Sequence, residues 1–259
     1  METFDNKINL NLESASEVSL KGFIALIEHM DPNFHEEWDA LANLRVAEPE
    51  KGYPTSVFRA FLPNNPVSVG DSWQIDDQGA RVLLSQLQPN PNLDMHIDAG
   101  DSRGLWACLR AYNDEFADIV FRIHAAFALT DGWFTPSQLA GHLVIDRIKK
   151  SILFFQMRVP EGTWFDVNWK KHKGDSGFST AGGVCPQIEL HGGTRDVLQE
   201  TEFTTSITRE AAEHTLIQCF YKSQQINWVS LEKALEISQA QQKPIHAISI
   251  DGAEGVAKA

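Results

Sequence analysis

The first part of the chain carries apolar residues three and four positions apart, with polar residues between them. This spacing is typical of helices that bury one face. It predicts a peripheral helical segment over residues 1–56, interrupted at Asp31-Pro32, and a further short helix over 80–87. The apolar positions of the helical segment are Leu20, Phe23, Ile24, Ile27, Trp38, Leu41 and Leu44.

From residue 105 onward the period of the pattern changes to two, which is typical of strands with one buried face. Two hairpins are predicted in this region, each with a short polar connection. A turn is predicted over 133–138, and the Gly/Ser-rich stretch 174–184 is predicted to be a mobile loop. The predicted strands are 105–112 paired with 116–129, 143–146 paired with 152–159, and then 164–169 and 187–191.

Helical periodicity returns near the C-terminus, where Thr208 and Ser230 are each suited to cap the start of a helix. A strand is predicted to follow over 245–250. Strands before helices, with little alternation between them, favour an α+β fold with a mostly antiparallel sheet and flanking helices. The predicted division is a helical segment at 1–56, an α+β domain at 57–205, and a helix-and-strand segment at 206–259.

Composition limits the classes of partner. The chain has 259 residues and a formal net charge of −13, which argues against binding to nucleic acid or anionic membranes. The N-terminus lacks the basic start and apolar core of a signal peptide, and no apolar run approaches the ~20 residues that span a bilayer. We therefore expect a soluble protein of the bacterial cytoplasm, with an oligomeric state that the sequence leaves open.

The chain has three cysteines, Cys108, Cys185 and Cys219, and no Cys-x-x-Cys motif. The sequence therefore predicts neither a disulfide framework nor a dithiol redox site. Cys219 falls on the apolar stripe of a predicted helix and is interpreted as a core residue, whereas the face of Cys108 is undecided. Cys185 follows the glycine-rich stretch and is the candidate reactive thiol, although nothing beside it predicts a lowered pKa.

Arg122 and His124 lie on the polar face of the predicted strand 116–129, together with Asp118. They are the candidate binding residues, because the donor fork of arginine suits a carboxylate or phosphate. The same alternation also fits a half-exposed strand, or a histidine held in the core. No histidine spacing matches a metal site, so no metal or other cofactor is predicted. The histidines considered as ligands are His124, His142, His172 and His191.

Three stretches of the chain resemble the selenoprotein N family in order and spacing, over roughly residues 105–252. The first comprises FRIHAAF (121–127), WFTPSQLAGHLVID (133–146), FFQMRVP (154–160) and FDVNW (165–169). The second is CPQIEL (185–190), and the third extends from ITREAA (207–212) to QKPIH (242–246). Residues 1–100 contribute little to the resemblance.

The resemblance implies an α+β domain that leads into a thioredoxin-like domain, whose first helix and strand are those predicted at 230–250. In the family a Ser-Cys-selenocysteine-Gly redox site follows that strand, and animal members are described as endoplasmic-reticulum redox proteins that sense calcium through an EF-hand. This sequence has no cysteine after Gly252 and no D-x-[DN]-x-[DN]-G loop. The family's redox residues are therefore not transferred to it.

Three functions remain open from the sequence. The first is the recognition domain of a thiol–disulfide oxidoreductase system, inactive alone, whose partner is an unknown protein or thiol substrate. The second is a non-enzymatic binding protein for a small anionic ligand or a protein partner, using Arg122 and His124. The third is an oxidoreductase that combines Cys185 with a thiol from another chain.

Overall fold

The fold comes from a computed structural model of the chain. The structure describes residues 7–13, 16–28, 30–31, 34–94, 104–170, 177, 179–196, 201–221, 229–242 and 244–245. Contacts divide the chain into two units, residues 1–222 and 223–259. The domain boundaries predicted after residues 56 and 205 remain predictions.

Among the described residues, strands predominate and every strand pairing is antiparallel, which confirms a mostly antiparallel α+β architecture. The strands are β1 (Glu17–Ile24), β2 (Met30–Asp31), β3 (Glu50–Pro54), β4 (Ser72–Gln74), β5 (Pro91–Asn92), β6 (Leu105–Tyr112), β7 (Phe116–Ile123), β8 (Ala126–Leu129), β9 (Gly132–Pro136), β10 (Leu139–Asp146), β11 (Ser151–Arg158), β12 (Trp164–Trp169), β13 (Ser179–Val184), β14 (Ile188–Gly193) and β15 (Thr205–Ser206). The helices are α1 (Phe34–Glu37), α2 (Asp39–Ala42), α3 (Asp77–Leu87), α4 (Arg209–Phe220) and α5 (Leu231–Gln241), with a 3₁₀ helix at Thr55–Phe61.

The strands form two sheets in the first unit. The larger sheet has the order β15-β6-β7-β10-β11-β14-β1-β3, with β4 also paired to β6. The smaller sheet has the order β2-β13-β12-β9-β8-β5. Both predicted hairpins are present, and they lie side by side as β6-β7-β10-β11 in the larger sheet. This four-stranded part carries the candidate site described below.

One face of the larger sheet packs against the 3₁₀ helix and α3 to form the main core. Phe121 and Phe155 from the sheet meet Phe58 and Phe61 from the 3₁₀ helix, with ring centroids 4.8–5.7 Å apart. All four rings are at most 1% exposed. Edge-to-face contacts of this kind add to the free energy of apolar burial, so this aromatic cluster is the centre of the core.

Helix α4 begins where its sequence supplies a cap. The Thr208 hydroxyl accepts a hydrogen bond from the backbone N–H of Ala211 at 3.1 Å. This bond satisfies one of the N–H groups that the first turn of a helix leaves without an intrahelical partner. The predicted helix and its cap are therefore confirmed, and its apolar stripe is buried through Ala212, Leu216 and Phe220.

The prediction of helix around residues 20–27 is wrong, because residues 17–24 form strand β1. Leu20 and Ile24 are both buried, and their spacing of four residues fits a strand face as well as a helix stripe. Phe23 points to the opposite face of the sheet and is 47% exposed. Pairing of β1 with β14 and β3 therefore determines the structure of this segment.

The prediction of a loop over 174–184 is also wrong for the described residues 179–184, which form strand β13. A Cβ atom on Gly182 would lie 2.7 Å from the Phe165 carbonyl oxygen and closer still to the Trp164 indole. Glycine at this position therefore permits close approach of β12, and its presence does not indicate flexibility.

Two further predictions are corrected between β7 and β10. Most of the predicted turn at 133–138 is strand β9. The predicted strand 116–129 is interrupted after Ile123, so β7 and β8 belong to different sheets. At the interruption the backbone N–H of His124 donates to the Gly104 carbonyl oxygen at 2.7 Å. This bond takes the place of the regular inter-strand hydrogen bonds, which end where the chain leaves the larger sheet.

The described part of the second unit is dominated by α5. The Ser230 hydroxyl accepts from the Lys233 backbone N–H at 3.3 Å, which confirms the predicted cap. The strand predicted at 245–250 lies, from residue 246 onward, outside the described residues. None of the helices in the described ranges combines the length and apolar character that crossing a bilayer requires.

Candidate functional site

A cavity of about 520 Å³ opens between α4 and the second face of the larger sheet. Three guanidinium groups and two carboxylates line it, in a chain whose formal net charge is −13. Cations gathered in a concave site of an acidic protein indicate a ligand that carries negative charge. We refer to this site as the arginine cavity; its charged residues are Arg122, Arg158, Arg209, Glu210 and Glu213.

A second cavity, of about 450 Å³, lies near Arg59 and has the opposite charge balance. Its lining includes the carboxylates of Asp76 and Asp77. The Arg59 Nε already donates to the Leu12 carbonyl oxygen at 2.8 Å. This second cavity is therefore less suited to an anionic ligand than the arginine cavity.

Strand register sets the floor of the arginine cavity. Ala140 on β10 lies opposite Arg122 on β7 and opposite Arg158 on β11. Neighbouring strands are about 4.8 Å apart, so the two arginines start from the same face with backbones about 10 Å apart. The Ala140 methyl group occupies little of the space between them. Both guanidinium groups can therefore reach one anionic group placed above Ala140.

Helix α4 forms the opposite wall. Leu216 packs in a cluster with Cys108 of β6 and Val120 of β7, which fixes the helix over these strands. Its first turns then present Arg209 and Glu213 to the cavity, and the Arg209 Nε lies 2.7 Å from a Glu213 carboxylate oxygen. The helix thus contributes charges of both signs to the site.

The structure brings the predicted pair Arg122 and His124 together. The Arg122 Nε donates a hydrogen bond to the His124 Nε2 at 3.1 Å, and its guanidinium carbon lies 5.8 Å from the centre of the Tyr221 ring. Burial lowers the pKa of Arg122, while Tyr221 and Glu213 oppose the shift. An arginine remains protonated at neutral pH despite such a shift. Arg122 therefore provides a positive charge in the arginine cavity.

The structure places His124 behind Arg122, in the core. It is 1% exposed and stacks on Phe220 with ring centroids 3.7 Å apart. Burial, and secondly the charge of Arg122, lower the pKa of His124 to about 3. The imidazole is therefore neutral at pH 7 and accepts the hydrogen bond from Arg122. His124 positions Arg122 and is not among the residues that line the arginine cavity.

The neutral state of His124 predicts a loss of stability on acidification. An unfolded histidine has a pKa of about 6.5, and the native value here is about 3. Between these values the unfolded chain binds more protons than the native chain. The free energy of unfolding should therefore fall as the pH drops below about 6.5, by up to about 1.4 kcal/mol per pH unit from this residue.

Urea unfolding at about pH 7, 6 and 5 measures this contribution. His124→Gln keeps an acceptor for Arg122 but removes the titrating group, so the stability of this variant should depend less on pH. His191→Gln is the matched control, because His191 is 46% exposed at its side chain. An equal pH dependence in wild type and His124→Gln would contradict the assignment.

A buried ionic group lies on the same sheet face. The Asp118 carboxylate accepts a hydrogen bond from the Arg110 Nε, and its other oxygen lies 3.1 Å from the His142 Nδ1. Burial raises the pKa of Asp118, but hydrogen bonding to His142 and the charges of His142 and Arg110 outweigh burial, so the pKa lies below its usual value. This group ties together strands β6, β7 and β10.

Within the described ranges no group of three or more His, Cys, Asp or Glu side chains is arranged to hold a metal ion. His142 contacts Asp118, and His191 lies 3.6 Å from the Glu189 carboxylate. His172 lies outside the described residues. His124, His142 and His191 therefore belong to separate local pairs.

All three cysteines are free thiols. Burial raises the pKa of Cys108 and of Cys185 to about 12, so very little thiolate forms at neutral pH. The Cys219 Sγ lies 3.3 Å from the Ser72 Oγ. The surroundings of Cys185 are therefore the opposite of those that activate a thiol for exchange.

Sequence reasoning identified Arg122 but missed Arg158 and Arg209. Arg158 is the last residue but one of the predicted strand 152–159, and its alternation with Phe155 and Met157 places it on the face opposite the core. This alternation predicts the sheet face on which Arg158 lies, but it does not predict which strand lies beside β11. Arg209 follows a predicted cap, and only the packing of α4 on the sheet brings it to the site.

Comparison with known proteins gives one consistent similarity. No protein-family model matches the chain, and no solved structure matches it. The chain is 28% identical to selenoprotein N of Danio rerio, in a match that covers 76% of this chain and 41% of that protein. Selenoprotein N of Mus musculus is 25% identical and that of Homo sapiens 24% identical, and each match covers 83% of this chain. The chain spans 41–49% of the length of these relatives.

Proposed function

We propose, on the premise that the chain is a selenoprotein N-like protein, that it is the recognition domain of a thiol–disulfide oxidoreductase system. In this proposal its own thiols do not perform the exchange, and the arginine cavity binds the substrate. The state of the cysteines is the observation that carries the proposal. Cys108 and Cys185 are buried with pKa values of about 12, whereas exchange requires an accessible thiolate.

We also propose that α5 and the predicted strand 245–250 begin a thioredoxin-like unit. The support is the resemblance of this region to selenoprotein N and the capped helix at residues 231–241. In such a unit the reactive thiol or selenol lies at a helix N-terminus, where the helix dipole favours the anion. The recognition domain would then deliver substrate to that group.

The first test measures disulfide reduction by the chain itself. With dithiothreitol as the electron source, turnover of insulin or glutathione disulfide should not exceed the rate without protein. The reason is that a thiol with a pKa of about 12 is almost fully protonated at pH 7. Insulin turbidity and a coupled glutathione assay provide the two readouts.

Cys185→Ser is the informative variant, because it should leave the background rate unchanged. Turnover by the wild-type chain that Cys185→Ser abolishes would instead support an oxidoreductase that uses this thiol. A longer form that contains a Cys or selenocysteine redox site should show turnover, and in that form Arg122→Gln should raise KM more than it lowers kcat.

A second candidate function is favoured by the cavity alone. A stand-alone binding protein for a small anion would use Arg122 and Arg158 in the same way, without any redox partner. The two candidates differ in the ligand: the redox proposal requires a thiol or disulfide, whereas the stand-alone proposal accepts an anion without sulfur.

A further inference from the structure

The net charge of the arginine cavity differs between its sheet floor and its helix wall, and this difference restricts its ligand. Arg122 and Arg158 lie on the sheet floor, on either side of Ala140. Glu210 and Glu213 lie on the helix wall together with Arg209, whose Nε lies 2.7 Å from a Glu213 carboxylate oxygen. The floor therefore carries two positive charges, whereas the helix wall carries a net charge of −1. A compact polyanion such as phosphate would be attracted by the floor and repelled by the net charge of the helix wall. A molecule with carboxylate at one end and ammonium at the other matches both the floor and the helix wall.

We propose that the arginine cavity binds a small zwitterionic thiol peptide of the glutathione class, with two carboxylates and one ammonium group. This inference rests on the proposed function, whose substrate class it names. One carboxylate lies above Ala140 between Arg122 and Arg158, and the ammonium faces Glu210 and Glu213. The ligand charge of −1 complements a lining that carries one more guanidinium than carboxylate groups.

Arg158 is the residue most available to such a ligand. In the described part of the chain its ion-pair partner is Glu161, at 3.8 Å, and Glu161 is 96% exposed at its side chain. An exposed pair at this distance contributes at most about 1 kcal/mol, so it competes weakly with a ligand carboxylate. Arg122, in contrast, is held in place by His124, and its direction is fixed before a ligand arrives.

The other residues that line the arginine cavity suit the central part of a short peptide. Leu216, Ile217 and Pro160 provide an apolar wall, and Gln138 provides a polar side chain. The volume of about 520 Å³ lies within the range of roughly 300–1,000 Å³ that small-molecule pockets occupy. A short peptide with a methylene or thiol centre therefore fits the cavity in both size and polarity.

Isothermal titration calorimetry of the full chain tests the proposal with three probes: reduced glutathione, glutarate and inorganic phosphate. Glutathione should bind with a stoichiometry of one. Glutarate carries two carboxylates without the ammonium, and it should bind about tenfold more weakly, as should phosphate. Arg122→Gln and Arg158→Gln should each weaken glutathione binding by roughly 10–100-fold, because each removes charged hydrogen bonds.

Two further variants separate the ligand class from a general anion site. Glu213→Gln should weaken glutathione binding while leaving glutarate binding equal or stronger. Ala140→Leu should abolish glutathione binding by filling the space between the two arginines, with both charges retained. Arg195→Gln, which changes an exposed arginine outside the cavity, is the matched control and should bind as the wild type does. Circular dichroism melting establishes that each variant is folded.

The outcomes are distinct. Equal affinity for glutarate and glutathione, with the same dependence on Arg122 and Arg158, overturns the zwitterionic ligand but leaves the stand-alone anion-binding function. Glutathione binding that survives both arginine substitutions or Ala140→Leu overturns this location of the site. Absence of glutathione binding at millimolar concentration overturns the inference, whereas the redox proposal is tested separately by the disulfide-reduction assays.

Discussion

Asp118→Asn is expected to lower the free energy of unfolding by about 3–5 kcal/mol. Asp118 is fully buried between Arg110 and His142, and the substitution leaves the Arg110 charge without its counter-charge at nearly constant volume. Removing one member of a buried ion pair costs more than the pair itself contributes, because the remaining charge stays desolvated. Urea unfolding at neutral pH, followed by far-ultraviolet circular dichroism, measures the difference.

The sign of the pH dependence gives a second readout of the same group. The native pKa of Asp118 lies below that of an unfolded aspartate, about 3.9. Its contribution to stability is therefore complete above about pH 4 and is lost as the pH falls through the native pKa. Asp118→Asn should accordingly be less sensitive to acid below pH ~4 than the wild type.

The hairpin residue Asp114 provides the matched control for Asp118. Asp114 is exposed, so Asp114→Asn should change the free energy of unfolding by no more than about 0.5 kcal/mol. Equal effects of the two substitutions would mean that the buried pair contributes nothing beyond a surface charge. That result would remove Asp118 as the group that ties the three strands together.

Prediction from sequence was most successful where local chemistry decides the structure. The caps at Thr208 and Ser230 are short-range hydrogen bonds within one turn, and both helices begin where the caps indicate. Alternation in β7 also placed Asp118 and Arg122 on one face. Each of these features depends on residues that are close in sequence.

The same alternation left open whether this face of β7 is half-exposed or holds a histidine in the core. His124 is buried because it stacks on Phe220 at the end of α4, and Val120 is buried in a cluster with Leu216 of the same helix. No periodicity within the strand contains that information. A helix almost a hundred residues later in the chain determines it.

The arginine cavity was only partly predictable for the same reason. Arg122 is recognisable as a cation on a strand face. To predict that Arg158 lies on the same face nearby, one must know that β10 lies between β7 and β11 and that Ala140 is in register with both arginines. A shift of one residue in either pairing would turn one arginine to the core face. The site is thus a property of sheet register, which a single sequence determines only through the whole fold.

The second large effect is expected in the aromatic cluster on the opposite sheet face. Phe155→Ala should lower the free energy of unfolding by about 3–5 kcal/mol, the range for truncation of a buried phenylalanine. Phe155 contacts Phe58 and Phe61 of the 3₁₀ helix, and it stacks on Phe121 at 5.5 Å. Its removal leaves a cavity bounded by three rings that belong to two different elements, so the surroundings can collapse only in part.

Three variants distinguish this cavity effect from a general loss of hydrophobicity. Phe155→Leu retains most of the buried volume and should cost clearly less than Phe155→Ala. Phe23→Ala removes the same ring from a residue that is 47% exposed, and it should cost no more than about 0.5 kcal/mol. A loss of stability that is equal in the Phe155→Ala and Phe23→Ala variants would show that the sheet is not held to the 3₁₀ helix by this cluster.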